Sequence, residues 1–372
     1  MKMNKAPILP PATIGIIGGG QLGQMLAQSA KTMGYHVGIL DPIPDCPAAQ
    51  VSDFQIIAAY DDQVALKKLA NKCALLTYEF ENVSLIALET LKNDVSLPQG
   101  LRLLAITQNR LVEKNFLRAN DIPTVPFTEI QATTDLTTVG AYLPGILKTT
   151  VGGYDGHGQV DIANTTMITA HAQLYQQAPA ILEKRLAFVQ EISVMVTQDG
   201  LDQVHIWPIA ENKHEQHVLK TSLIPAQVSP KVALQVTQIA TKLAKKLDLR
   251  GVLGVEMFVT ADEQVLVNEL APRPHNSGHY SIEAMNVSQF EGHIRSITNL
   301  PIAPLKLYQP ALMVNLLGEQ LTHARNELSH HPEWHFHDYG KAQIRPLRKL
   351  GHITVIGTNA INHNKNWLKT DK

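Results

Sequence analysis

Cysteine is nearly absent from this chain. Cys46 and Cys73 are the only two in 372 residues, and their spacing makes neither a metal pair nor a disulfide framework. That scarcity points to a reducing, cytoplasmic setting. Aromatic residues are equally sparse at 5%, and the formal net charge is only -1. That balance favours no polyanionic partner such as a nucleic acid, and local basic residues are better read as pieces of a site. No stretch approaches the roughly 18 uninterrupted apolar residues of a membrane span. The N-terminal segment leads into a strand and a glycine turn, which is a domain start and not a signal peptide. What remains is a globular composition, 44% hydrophobic and 17% charged, long enough for two or three domains.

Alternation of strand and helix signals opens the chain. Thr13–Ile17 is a short apolar strand, Gly18, Gly19, Gly20 and Gly23 form a turn, and residues 24–33 follow as a helix. Strands are expected at 36–40 and 73–77, the first ending at Asp41. This order predicts a parallel sheet with helices on both faces. Residues 1–120 form that Rossmann-like domain, ending in a helix at 108–120. Pro123 and Pro126 mark a hinge, and short segments up to about residue 190 form a small α+β domain suited to act as a lid. Residues 191–372 form the third region. It contains a strand at 191–196, an amphipathic helix at 231–247 with Val232, Leu234, Val236, Ile239, Leu243 and Leu247 in its stripe, and strands at 254–260 and 264–268. His330, His331, His335 and His337 lack metal-ligand spacing and read as a solvated segment.

Three groups of residues carry chemistry. Lys148 follows an apolar segment and precedes Gly152, Gly153, Gly156 and Gly158, so a flexible cation stands beside backbone amides free to turn toward phosphate. Glu256 and Glu269 lie on adjacent antiparallel strands with both carboxylates on one face. Such a half-buried pair calls for a cation, and Mg²⁺ with substrate phosphates fits that need. Arg273, His275, Asn276 and Ser277 bring a cation and donors just beyond Glu269, while Lys341, Arg345 and Arg348 suit a second substrate's phosphate. The turn from Gly18 to Gly23, with Asp41 after the next strand, also satisfies a dinucleotide fingerprint and on its own favours an NAD-dependent oxidoreductase.

These strings, in this order over nearly the whole chain, resemble the ATP-grasp superfamily and, within it, the family of 5-(carboxyamino)imidazole ribonucleotide synthases. The resemblance rests on Gly18 to Gly23, Tyr78-Glu79-Phe80-Glu81-Asn82, Gly152 to Gln159, Asn268 to His279, and Arg345 to His352. It implies an ATP-grasp fold of mixed α/β and α+β type and an ATP- and Mg²⁺-dependent ligase. That ligase carboxylates 5-aminoimidazole ribonucleotide with bicarbonate in purine biosynthesis, as a homodimer. Residues implied to contact ATP are Arg110, Lys148, the loop Gly153, Tyr154, Asp155, Gly156, His157, Gly158 and Gln159, then Glu183, Lys184, Arg185, Leu186, Glu191, His214, Asn268 and Glu269. Glu256 and Glu269 are the implied Mg²⁺ ligands. Around the ribonucleotide and the reaction centre the resemblance implies Gln21, Glu79, Asn82, Tyr154, Asp155 and Arg273. His275, Asn276, Ser277, Lys341, Arg345 and Arg348 join them. Lys148, Arg273 and Asp155 are the implied catalytic groups, with Asp155 and a phosphate oxygen competing for the amine proton. His157 stands where some relatives have arginine, which leaves the role of its side chain open. A biotin carboxylase-like ligase would share the ATP loop and the glutamates but not Tyr154, Lys341 and Arg348. A non-catalytic nucleotide-binding protein would have no need of Lys148, Glu256, Glu269 and Arg273.

Overall fold

The structure, a computed structural model, describes residues 6–152 and 158–364. Its first sheet is parallel, ordered Phe54–Ile56, His36–Leu40, Thr13–Ile17, Leu75–Tyr78. Ile14, Ile16, Ile17, Val37, Ile39 and Leu75 are fully buried, because a parallel sheet has both faces covered. The helix expected at 24–33 starts earlier and spans Gln21–Thr32, directly out of the glycine turn. Helix Arg110–Ala119 is capped by Asn109, whose side chain accepts from the amides of Leu111 and Val112. The two-proline stretch after it is pinned to the glutamate hairpin, the Val267 amide donating to Pro123 O at 2.8 Å.

A second, antiparallel sheet runs Phe127–Ile130, Ala180–Lys184, Gly145–Thr149, Gln159–Ile162. Lys148 pairs with Gln159, at the other end of the glycine-rich connection, and on its other side with Ile181.

Among the described residues the third sheet has nine strands, and Gln190–Gln198 lies between Leu253–Val259 and Ala210–Glu215. Alternation along Gln190–Gln198 divides two environments. Ile192, Val194 and Val196 face helix Pro230–Leu247, whereas Ser193 is buried on the opposite side. Ser229 caps that helix and Pro230 takes its first turn. Leu234, placed in the apolar stripe by spacing, is 58% exposed, and the packed stripe is Val232, Val236, Ile239, Leu243 and Leu247. Leu243→Ala is therefore expected to cost about 2–5 kcal/mol in urea unfolding, and Leu234→Ala under about 0.5 kcal/mol.

Strands Ala311–Leu317, His335–Asp338 and Lys349–Ile356 extend the same sheet. This corrects the reading of the histidine segment. His337 stacks on His352 with ring centroids 4.2 Å apart and contacts Glu283 at 2.6 Å, because its strand pairs with Lys349–Ile356. His330 remains exposed, and no group of three metal-ligating side chains occurs among the described residues.

Candidate active site

The first glycine turn is closed by the protein's own carboxylates. The Gly19 amide donates to Asp41 Oδ2 at 2.7 Å, the Gly23 amide to Glu79 Oε2 at 2.5 Å, and the Gly20 amide to Glu79 Oε1. A Cβ on Gly20 would stand 2.7 Å from Glu79 Oε1, so the glycine serves a close approach of chain to carboxylate. These are the amides that a dinucleotide pyrophosphate would use, and internal anions already occupy them. Burial raises the Glu79 carboxyl, with the two amide bonds opposing. Gln21 begins the helix beside it.

Glu256 and Glu269 face each other directly across Leu253–Val259 and Val265–Ala271. Their pairing depends on a bulge. Met257 pairs with Val267, so a regular ladder would next oppose Glu256 to Asn268. Asn268 is extruded instead, and Glu269 rotates onto the Glu256 face. Burial pushes the Glu256 carboxyl up, but the bond from His275 Nε2 at 2.9 Å, with the His214 and Lys349 charges, outweighs it and holds it low. Glu269 moves the other way: burial and the Glu256 charge raise it, with Arg110 and Lys148 pulling back. Water reaches Glu269, yet protein occupies most of its surroundings, as for a side chain in a cleft.

The cations acting on Glu269 come from two other elements. Lys148 Nζ lies 2.5 Å from Glu183 Oε2. Arg110 Nη1 donates to Thr149 O at 3.0 Å, and the Arg110 amide donates to Thr150 O at 2.9 Å. Burial opposes ionisation of Glu183, but Lys114 and Lys148 hold its carboxyl at about 2. Glu191 meets His214 Nδ1 across strands, which keeps that imidazole above its ordinary value against the effect of burial. Lys184, Arg185 and Leu186 continue from Glu183, with Arg185 Nη2 at 3.3 Å from Asp161. Gly153, Tyr154, Asp155, Gly156 and His157 lie outside the described residues, whereas Gly158 is described in a turn and Gln159 begins the strand.

Arg273 Nε donates to Glu81 Oε2 at 2.8 Å. The chain bends after strand Leu75–Tyr78, and Glu79 enters the glycine turn while Glu81 reaches the arginine. Lys341 acts electrostatically on Glu79, which joins the late basic segment to the N-terminal sheet. Arg348 lies beside Lys341, while Arg345 is exposed with its guanidinium against Gln343. Asn82 lines a cavity of about 550 Å³ with Tyr60, Ser84, Gln108, Val151 and Gly152.

Two expected substrate contacts are turned inward. Ser277 is fully buried, its hydroxyl bridging His275 Nδ1 at 2.8 Å and Ser193 Oγ at 2.6 Å. Asn276 is buried with its amide oxygen on His279. Both therefore support His275 and the turn around it. Two further residues join this cluster without a role assigned by the sequence pattern. Glu81 lies two residues beyond Glu79. Lys114 lies one helical turn after Arg110, and that i, i+4 spacing was its only signal.

A mixed sheet system that brings Lys148, on the strand before the glycine-rich loop, into the field of paired carboxylates defines an ATP-grasp enzyme, and residues 115–290 match the ATP-grasp domain model. The flanking regions match the ribonucleotide synthetase preATP-grasp domain over 11–108 and the phosphoribosylaminoimidazole carboxylase C-terminal domain over 311–365. The N5-carboxyaminoimidazole ribonucleotide synthase of Bacillus subtilis (strain 168) is 44% identical over 356 residues, covering 95% of this chain and 94% of that one. Among solved structures, an ADP complex of N5-carboxyaminoimidazole ribonucleotide synthetase superposes with a TM-score of 0.92 at 41% identity, covering 98% and 97% of the two chains. The Aspergillus clavatus enzyme in complex with ADP and 5-aminoimidazole ribonucleotide gives 0.89 at 32% identity, covering 96% and 98%. The chain belongs to the N5-carboxyaminoimidazole ribonucleotide synthase family.

Proposed function

We infer that the chain is an ATP-dependent carbon–nitrogen ligase that carboxylates 5-aminoimidazole ribonucleotide with bicarbonate, giving N5-carboxyaminoimidazole ribonucleotide, ADP and phosphate. The observation that carries this reading is the register pairing of Glu256 with Glu269 within the field of Arg110 and Lys148. A bicarbonate oxygen attacks the γ-phosphorus of ATP, ADP leaves, and carboxyphosphate forms. The exocyclic amine of the ribonucleotide then attacks the carboxyl carbon, phosphate departs, and the amine proton passes to Asp155 or to a phosphate oxygen.

Lys148 and the amides of the glycine loop offset phosphoryl charge, and Arg273 orients bicarbonate and the mixed anhydride. Arg110, Glu183 to Leu186, Glu191, His214 and Asn268 surround the nucleotide. Gln21, Glu79, Asn82, Tyr154, Lys341 and Arg348 enclose the ribonucleotide, and Ser277 holds His275 in place. Glu256 and Glu269 are the residues that would hold Mg²⁺, and their all-oxygen donor set and mutual repulsion fit that ion. When bound, the metal neutralises phosphate charge. We also propose the division into residues 1–120, 121–190 and 191–372, supported by three separate sheets. A homodimer and a cytoplasmic location complete the proposal, and unpaired Cys46 and Cys73 fit the latter.

The test is stoichiometry: ADP and carboxylated ribonucleotide should form one for one, only when bicarbonate and 5-aminoimidazole ribonucleotide are both present. ADP release driven by biotin, or binding of NAD, would overturn the reading. One pH effect follows from Lys341. Burial and the Arg348 charge lower its ammonium to about 8, against the pull of Glu79. Proton loss above that pH removes a positive charge, so KM for the ribonucleotide should rise there while KM for ATP stays flat. Lys341→Arg should abolish the rise, because guanidinium stays charged.

A further inference from the structure

Lys114 is 2% exposed, unusual for a lysine, and its ammonium is saturated, with three close partners and a longer contact to Val267 O at 3.4 Å. It donates to Asn268 O at 2.7 Å on the bulge beside Glu269, and to Thr124 Oγ1 at 3.0 Å in the two-proline stretch. Its third close partner is Glu183 Oε1, at 3.2 Å. The other oxygen of that carboxylate holds Lys148 at 2.5 Å. One buried anion therefore serves two lysines that differ in setting: Lys114 is enclosed and anchored to backbone, while Lys148 is 15% exposed beside the glycine-rich loop.

We propose that Lys114 is a positioning residue for Lys148: it keeps Glu183 neutralised when Lys148 leaves that carboxylate for the nucleotide phosphates. The charge count supports this. Two cations share one anion before nucleotide binds, and one cation remains on it afterwards. Without Lys114, the departure of Lys148 would strand a buried carboxylate, which is strongly unfavourable, so Lys148 would stay on Glu183 and the phosphates would lose it. The inference rests on the ATP-ligase reading and deepens it by assigning the residue that frees the phosphate-binding lysine.

Calorimetric titration with ADP separates the outcomes. If the parent chain binds no ADP, the ligase reading itself fails. If it binds, Lys114→Met should weaken ADP by about tenfold or more, and adding Glu183→Gln should recover about threefold or more of that loss by removing the competitor. A purely structural role for Lys114 would not be rescued in this way. Adding Lys148→Met to Lys114→Met should change affinity by less than about twofold, although the same change weakens the parent. Parent-like ADP binding in a folded Lys114→Met variant, or a double variant no tighter than the single, overturns the proposal. If Lys114→Met does not fold, a crystal structure of the parent with ADP decides. Lys148 should then lie beyond about 4 Å from Glu183 while Lys114 stays within it, and Lys148 remaining on Glu183 would refute the relay.

Discussion

Exchange of Glu269 for glutamine is expected to lower ribonucleotide- and bicarbonate-dependent ADP formation by about 10²–10³-fold, the size of effect seen when one preorganised electrostatic group is removed from a reaction centre. The substitution keeps shape and hydrogen-bonding reach but deletes the charge, so loss of rate reports the carboxylate itself. Glu269 faces Glu256 in register, and its carboxyl is raised by burial and by that neighbour. Glutamine at this position relieves the repulsion, so the variant should be at least as stable as the parent in urea while being far slower. Direct Mn²⁺ binding followed by spin resonance should weaken in parallel. A variant that keeps its rate within about twofold would remove Glu269 from the proposed metal site.

Arg273→Lys carries the second large effect. The guanidinium spends its Nε–Nη2 edge on Glu81, Nε lying 2.8 Å from Oε2, and the long 3.4 Å contact of Nη1 with Pro274 O is the one an incoming planar anion would replace. Lysine preserves the charge but not the two-pronged geometry, so carboxylated product should fall by about 10²-fold. ADP formation should fall less, because an anhydride that is formed but poorly held is lost to water. The measured quantity is product per ADP, expected to drop well below one. An unchanged ratio would mean that Arg273 acts only as the partner of Glu81.

Much of this arrangement was legible in the chain itself. Strands Thr13–Ile17 and His36–Leu40 are apolar runs closed by turn residues, and their limits coincide with expectation. The glutamate hairpin was legible in outline and for a partly accidental reason. Counting residues around its turn opposes Glu256 to Asn268, and only the extruded Asn268 brings Glu269 round to the same face. Bulges leave little trace in a hydrophobic pattern, because they alter one residue of register and no residue type. The first glycine turn was legible as geometry but ambiguous as chemistry. Its amides are taken by Asp41 and Glu79, side chains far along the chain that local spacing cannot assign. Lys114 was hidden for a related reason, since a lysine on an amphipathic helix reads as solvated until its partners arrive from Glu183 and Asn268.

Transfer of oxygen from bicarbonate tests the central claim most directly. With ¹⁸O-labelled bicarbonate, 5-aminoimidazole ribonucleotide and ATP, attack of bicarbonate on the γ-phosphorus must leave one labelled oxygen in the phosphate released, in step with carboxylated product. Phosphate free of label, with the oxygen drawn from water, would show that ATP is simply hydrolysed at this site and would contradict the account.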